Sequence, residues 1–359
     1  MNVVVVGQIL SAVAEYHLTI TTGCVIVAII SYFVSLFGFK LIHRFEKYGW
    51  IPTVILFIVL ASQIGSKVNV DIPAKVSGLR LAGAFLTFLG INFSSTSGWC
   101  SLASDYYVHF PLVTRTADIF WMTFFGVSIP TMFATIIGAA LGNIAIASAD
   151  LTPNPNAHLS EAFQSHKFGG LLLNAYYPTG FSKFALVILT FSVLGNNIAV
   201  NYSNGLSLQL LGHYFHAIPR FIWSFVNAIT IAILAIVGRE NLSMIIENFV
   251  SLLGYWTISF TLILLIEDQW FRKRLPLNGY QLAVWDMAGK LPFGVAAVLA
   301  LLAGYLAGGV PGMAKPWYVG PIAAKFGPFG GDVGTWMSGL ITITVYLPAR
   351  WYEILKTGR

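Results

Sequence analysis

Residues 94–111 read "SSTSGWCSLASDYYVHFP". The stretch holds five serines, a threonine, a glycine, an aspartate and a proline, with apolar sequence on both sides. So many small polar residues in one place need a reason, and the surrounding chain supplies the context. Of 359 residues, 57% are hydrophobic and 9% charged, and the mean hydropathy is +0.76. A soluble domain carries roughly 25% charged residues, so this chain has too little charge to coat a water-exposed surface. Its solvent is lipid, and the fold class is all-α: a polytopic membrane helix bundle. The net charge of +6 is spread along the chain. No basic run is dense enough to neutralise a phosphate backbone, so no nucleic-acid partner is expected.

A spanning helix needs about 20 mostly apolar residues. Ten candidate spans follow: 2–14, 20–41, 50–66, 80–103, 119–147, 181–207, 220–238, 242–266, 290–309 and 333–350. They form one transmembrane domain over 1–359, with the first span partial. Polar or Pro/Gly-rich joints separate them, among them "LTPNPNAHLSEAFQSHK" at 151–167, read as a solvent loop with a short amphipathic turn or helix. If the spans alternate, 12 of the 20 Lys and Arg residues fall on the side that holds the C-terminus. That bias places the C-terminus in the cytoplasm. The first span, at about 1.5 Å per residue, is too short for a hydrocarbon core of about 30 Å. The expectation is that the chain lacks an N-terminal part.

Within a span, a polar side chain faces a cavity or another helix, and an ionisable one is a functional candidate. In the fourth span, Asn92, Ser94, Ser95, Thr96, Ser97 and Gly98 fall near the middle. Serine and threonine can take up carbonyls freed where a helix unwinds, which membranes tolerate beside a cavity. Small residues equally suit close helix packing. Trp99 follows directly and offers an indole face for stacking a flat ring, with an N–H donor at its edge. Asp105 is either a solvated helix-end charge or part of a gating pair.

The sixth span carries Asn196, Asn197, Asn201 and Asn204. Asn197 and Asn201 are four residues apart and share a helix face. A carboxamide donates and accepts at once, which suits the polar edge of a nucleobase. The alternative is interhelical hydrogen bonding. Glu247, one turn into the eighth span, is a protonatable coupling group or a helix-start charge. Asn2 and Gln8 of the first span would face a bundle interior. The two cysteines, Cys24 and Cys100, read as small core residues. No histidine falls in a metal spacing, and "FGGD" at 329–332 misses the intramembrane aspartyl protease pattern by Phe329. No nucleophile or metal cluster points to an enzyme, so neither a metal nor a cofactor is expected.

Four segments in order carry a resemblance: "YGWIPTVILFIVLAS" (48–62), "SGWCSLASDYYVHFP" (97–111), "GNNIAVNYSNGLSLQLLG" (195–212) and "ENFVSLLGYW" (247–256). They resemble the fungal purine–cytosine permeases of the nucleobase–cation symporter-1 family, over what would be family helices three to twelve. The resemblance implies the leucine-transporter-like inverted-repeat fold, here without its first helices. It implies import of cytosine and purines across the plasma membrane by alternating access, coupled to a proton or to sodium. Trp99 matches the family's helix-six tryptophan, expected to stack on the base near the bilayer midplane, with Ser97 and Gly98 beside it. Asn196, Asn197 and Asn201 match its helix-eight polar motif, and Asn2 its helix-three asparagine. Ala199 stands where a proline is expected in close relatives. Asp105 and Glu247 are the coupling or gating candidates. The alternative is a permease remnant that binds ligand without transporting it.

Overall fold

The structure, a computed structural model, describes all residues except 37–38, 102, 112, 152, 274–282, 284–286, 288 and 359. At 39–46, 105–106 and 150 it describes the backbone alone. The chain divides into two compact units: Met1–Pro73 with Leu112–Leu242, and Ala74–Pro111 with Ser243–Arg359.

The first unit contains α1 (Asn2–Val13), α2 (Ile20–Leu36), α3 (Phe39–Ile64), α6 (Thr116–Ala145), α7 (Ala157–Ala175), α8 (Thr179–Gln209), the short α9 (His213–Ala217) and α10 (Arg220–Gly238). Its core joins Ile9 of α1, Leu60 of α3, Ile144 of α6, Leu171 of α7 and Leu186 of α8. Lipid tails are as apolar as leucine, so packing and small residues hold such helices together. Gly7 and Gly23 show this: a Cβ on Gly23 would stand 2.8 Å from the Gly7 Cα, so α1 and α2 touch backbone to backbone. Gly169 of α7 lies as closely against the Gln8 backbone. Polar ties close the joints, with Asn143 bonded to both the N–H and the carbonyl of Asn69, and the Asn156 amide donating to the Lys67 carbonyl.

The second unit contains α4 (Leu79–Ser97), the short α5 (Ala103–Tyr107), α11 (Leu242–Ile266), α12 (Val295–Ala303), the single turn α13 (Val310–Gly312), a two-stranded antiparallel hairpin of β1 (Ala314–Lys315) and β2 (Tyr318–Val319), and α14 (Gly334–Thr357). A widened π-type turn at Gly304–Gly309 joins α12 to α13. Its glycines let the chain run against α14, where a Cβ on Gly308 would stand 2.5 Å from the Met337 carbonyl oxygen.

All ten expected spans have a helix. Among the described residues five segments meet the length and apolarity needed to cross a membrane, and the longest, Arg220–Arg272, carries α10 and α11 in succession. The boundaries differ for local reasons. α3 starts at Phe39 rather than near 50, because "KLIHRFEKYG" is rich in good helix formers that continue the helix past its apolar part. The ninth span starts at Val295, since Gly294 has φ +75° and caps it. α14 runs on to Thr357 and stops where Gly358 takes φ +72°. The joint at 151–167 leads into a full helix, α7, with a backbone break at Lys167.

Candidate functional site

In the first unit, the relative run of three helices brings polar groups together. Glu15, just past α1, is ion-paired with Lys183 near the start of α8. That contact holds the Glu15 carboxyl below the usual carboxylate range. At the other end of α2, the Asn201 amide donates to Ser35 Oγ at 3.0 Å. With α1 and α2 packed through Gly7 and Gly23, α1 runs antiparallel to α8, and α2 parallel to it. Equal helical rise then sets Gln8 level with Thr190, Asn2 level with Asn196, and Ser31 one turn from Ser35 as Asn197 is from Asn201.

At these levels lie buried polar atoms without partners among the described residues: Gln8 Oε1 and Thr190 Oγ1, then Ser31 Oγ, Asn196 Oδ1 and Asn197 Nδ2. Gln8, Ser31 and Thr190 are 3%, 6% and 5% exposed. Buried polar groups are nearly always bonded, to protein, water or ligand. Singly, Gln8 Oε1 and Asn196 Oδ1 are acceptors, Asn197 Nδ2 is a donor, and the Ser31 and Thr190 hydroxyls can do either. Asn2, the first residue of α1, is partly buried.

Asn201 is placed differently. It is 2% exposed, and its amide is engaged on both sides. Its nitrogen donates to Ser35, and its oxygen accepts from the Asn227 amide of α10 at 2.6 Å. Asn204 extends the chain toward Asn227 at 3.4 Å. The face that looked uniform in sequence therefore divides into a bonded part at Asn201 and Asn204 and an unbonded part at Asn196 and Asn197.

In the second unit, α4 gives way at Gly98 to a 3-10 turn over Gly98–Ser101. The hydroxyls before it bond back along their own helix, Ser94 to the Gly90 carbonyl at 2.6 Å and Thr96 to Asn92 at 2.9 Å. Ser97 reaches across to Thr257 Oγ1 on α11 at 2.9 Å. Trp99 sits in the 3-10 turn, 40% exposed, and its indole N–H has no partner among the described residues. Glu247 is exposed on the first turns of α11. The backbone of Asp105 lies in α5, and its side chain falls outside the described residues.

Sequence reasoning passed over Ser31 and Thr190, since a single hydroxyl in an apolar helix carries no signal. It gave no role to Lys315 or Asp332, whose partners come together only in the folded second unit. Among the described residues no group of three or more His, Cys, Asp or Glu is placed to hold a metal.

These features define a class, a polytopic helical membrane protein with buried polar groups within its bundle. No family profile matches the chain, and no solved structure matches it. Curated relatives do. The vitamin B6 transporter of Saccharomyces cerevisiae is 33% identical over all of this chain and 69% of its own length. The purine–cytosine permease of Emericella nidulans is 32% identical over all of this chain and 68% of its own length. A putative purine–cytosine permease of Bacillus subtilis is 24% identical over 91% of this chain and 66% of its own length. The chain belongs to the purine–cytosine permease family, a family of transporters and not of enzymes.

Proposed function

We propose that this protein carries a flat nitrogen heterocycle, a purine base or cytosine, into the cell by alternating access, coupled to a proton. The observation that supports this most is the pair of side-chain atoms on α8 with no partner among the described residues, Asn196 Oδ1 and Asn197 Nδ2. An acceptor and a donor on adjacent residues match the mixed polar edge of a nucleobase. Asn201 holds α8 to α2 and α10 and so keeps those amides in place. Trp99 keeps the stacking role that its family match gives it, with Ser97 and Gly98 shaping its turn. Asp105 and Glu247 are the candidates for coupling or gating. The plasma membrane is the location proposed, with the C-terminus in the cytoplasm.

A second reading has its own observation. The vitamin B6 transporter is as similar to this chain as the nucleobase permeases are. A substituted pyridine is also flat, and its hydroxyl groups would suit Ser31 and Thr190. The experiment is radiolabelled uptake in yeast lacking its own permeases, offering cytosine, adenine, hypoxanthine, uracil and pyridoxine, at several pH values and with or without sodium. Saturable base uptake that rises at acid pH supports the first reading, and pyridoxine uptake alone the second. Sodium dependence would replace the proton. Ligand binding without uptake would identify a non-transporting binder.

A further inference from the structure

Lys315 and Asp332 form an ion pair closed off from solvent, Nζ to Oδ2 at 2.6 Å, with side chains 1% and 3% exposed. The Tyr255 hydroxyl lies 2.7 and 2.8 Å from the two carboxylate oxygens and donates to that carboxylate. The Gly334 N–H adds a bond to Oδ1 at 3.2 Å. Asp332 also donates its own backbone N–H to Thr87 Oγ1 of α4 at 2.8 Å. One residue thus ties the β1 hairpin, α4, α11 and the start of α14. The Tyr255 ring is walled in by Gly309 and Gly334, where an added Cβ would stand 2.9 and 2.5 Å from it.

Such a pair is not the cheapest way to stabilise a core. Apolar residues of the same volume often serve as well or better, and a buried pair is better attested as a device that fixes register. The register here is that of α11 against α4. On α11, Gly254 precedes Tyr255 and lies directly against Ser94. Thr257, three residues beyond Gly254, bonds Ser97 at 2.9 Å. Residues three apart share a helix face, so Gly254 and Thr257 face α4 while Tyr255, about 100° round from Gly254 and about 160° from Thr257, is held at Asp332. Ser97 is the last residue of α4 before the turn that carries Trp99.

We propose that Asp332 is a positioning residue for ligand binding: held by Lys315 and latched to Tyr255, it sets the rotation of α11 that presents Ser97 and the Trp99 turn. The inference rests on the reading that Trp99 contacts the ligand. The test uses the whole protein in permease-null yeast, with surface abundance and labelled-base uptake measured on Tyr255→Phe, on Asp332→Leu combined with Lys315→Met, and on Asp332→Asn with Asp332→Glu for rescue. Trp99→Ala runs in parallel.

The apolar double variant leaves no stranded charge, so it reaches the membrane, whereas Asp332→Asn strands Lys315 and falls in abundance. On the protein that reaches the membrane, KM rises about tenfold in the double variant and about threefold in Tyr255→Phe, each a loss of one or two register-fixing bonds. Maximal rate per molecule changes less than KM, and Asp332→Glu recovers part of the affinity. A double variant and a Tyr255→Phe variant that both keep the parent KM overturn the inference, because the cluster would then be scaffolding alone. Should the double variant fail to fold, Tyr255→Phe decides by itself. If Trp99→Ala leaves affinity unchanged, the base-stacking reading itself fails, and this inference with it. If Trp99→Ala weakens binding and the cluster variants do not, only the positioning role is lost.

Discussion

The Asn227 amide of α10 donates to the side-chain oxygen Oδ1 of Asn201 on α8 at 2.6 Å, and the Asn201 amide nitrogen in turn donates to Ser35 Oγ of α2. Three helices of the first unit are thus joined through one buried carboxamide. Removing it with Asn201→Ala breaks two bonds, at about 0.6 kcal/mol each in a membrane bundle, and leaves Asn227 short of an acceptor. The expected loss is about 1–2 kcal/mol, read as a lower unfolding temperature in detergent. The order of preference among bases should stay the same. A changed order at parent-like stability would return Asn201 to the ligand.

The sequence carried the fold further than the site. Each expected span became a helix because some 20 apolar residues have no other low-energy arrangement in lipid. The fourth span reads as 80–103 with its polar residues near the middle, whereas α4 ends at Ser97 and a 3-10 turn begins at Gly98. The asparagines of α8 were visible as a group. Which of them carry bonds was not, because that depends on Ser35 and Asn227, 166 and 26 residues away along the chain. Likewise Asp332 stood in sequence as the end of a failed protease pattern, and its partners Lys315 and Tyr255 lie on other elements.

Gly254 is a second point of close fit. An alanine there would overlap Ser94 Oγ and come within 2.7 Å of Thr335 Oγ1. Gly254→Ala should cost about 1–3 kcal/mol through overpacking. Ser94→Ala removes the nearer oxygen, so the double variant should recover part of that loss, and thermal unfolding of the single and double variants in detergent would show it. Full additivity of the two changes would contradict the contact.

At the end of α11, Glu267 accepts from Arg350 through Nε and Nη2, both at 2.9 Å, and from Arg272 Nε at 2.8 Å. The Tyr346 hydroxyl adds a bond at 2.9 Å. The Arg350 side chain is 3% exposed and that of Glu267 16%. Arg350→Met leaves the partly buried carboxylates Glu267 and Glu353 with less compensation, and the expected cost is about 3 kcal/mol. A loss of membrane abundance in Arg350→Met, relieved when Glu267→Gln is added, would show that charge and not packing is responsible.

Glu15 gives a pH signature outside the spans. Lys183 holds its carboxyl below the ordinary value, so its contribution is present above the unfolded pKa of about 4 and fades as the pH falls through the lower folded value. The pair is exposed, and the effect is small. The difference in unfolding temperature between the parent and Lys183→Met should therefore shrink below about pH 4. A difference that stays constant across that range would show that the ion pair is not what the substitution removes.

The central claim is that the unbonded amides at Asn196 and Asn197 bind the heterocycle. Its most direct measurement is labelled-base uptake by Asn197→Ala, set beside membrane abundance and unfolding temperature. The account predicts at least a tenfold rise in KM, about 1.4 kcal/mol or more, with abundance and unfolding temperature within error of the parent, because Asn197 Nδ2 bonds nothing among the described residues. An unchanged KM in a normally folded variant would contradict it.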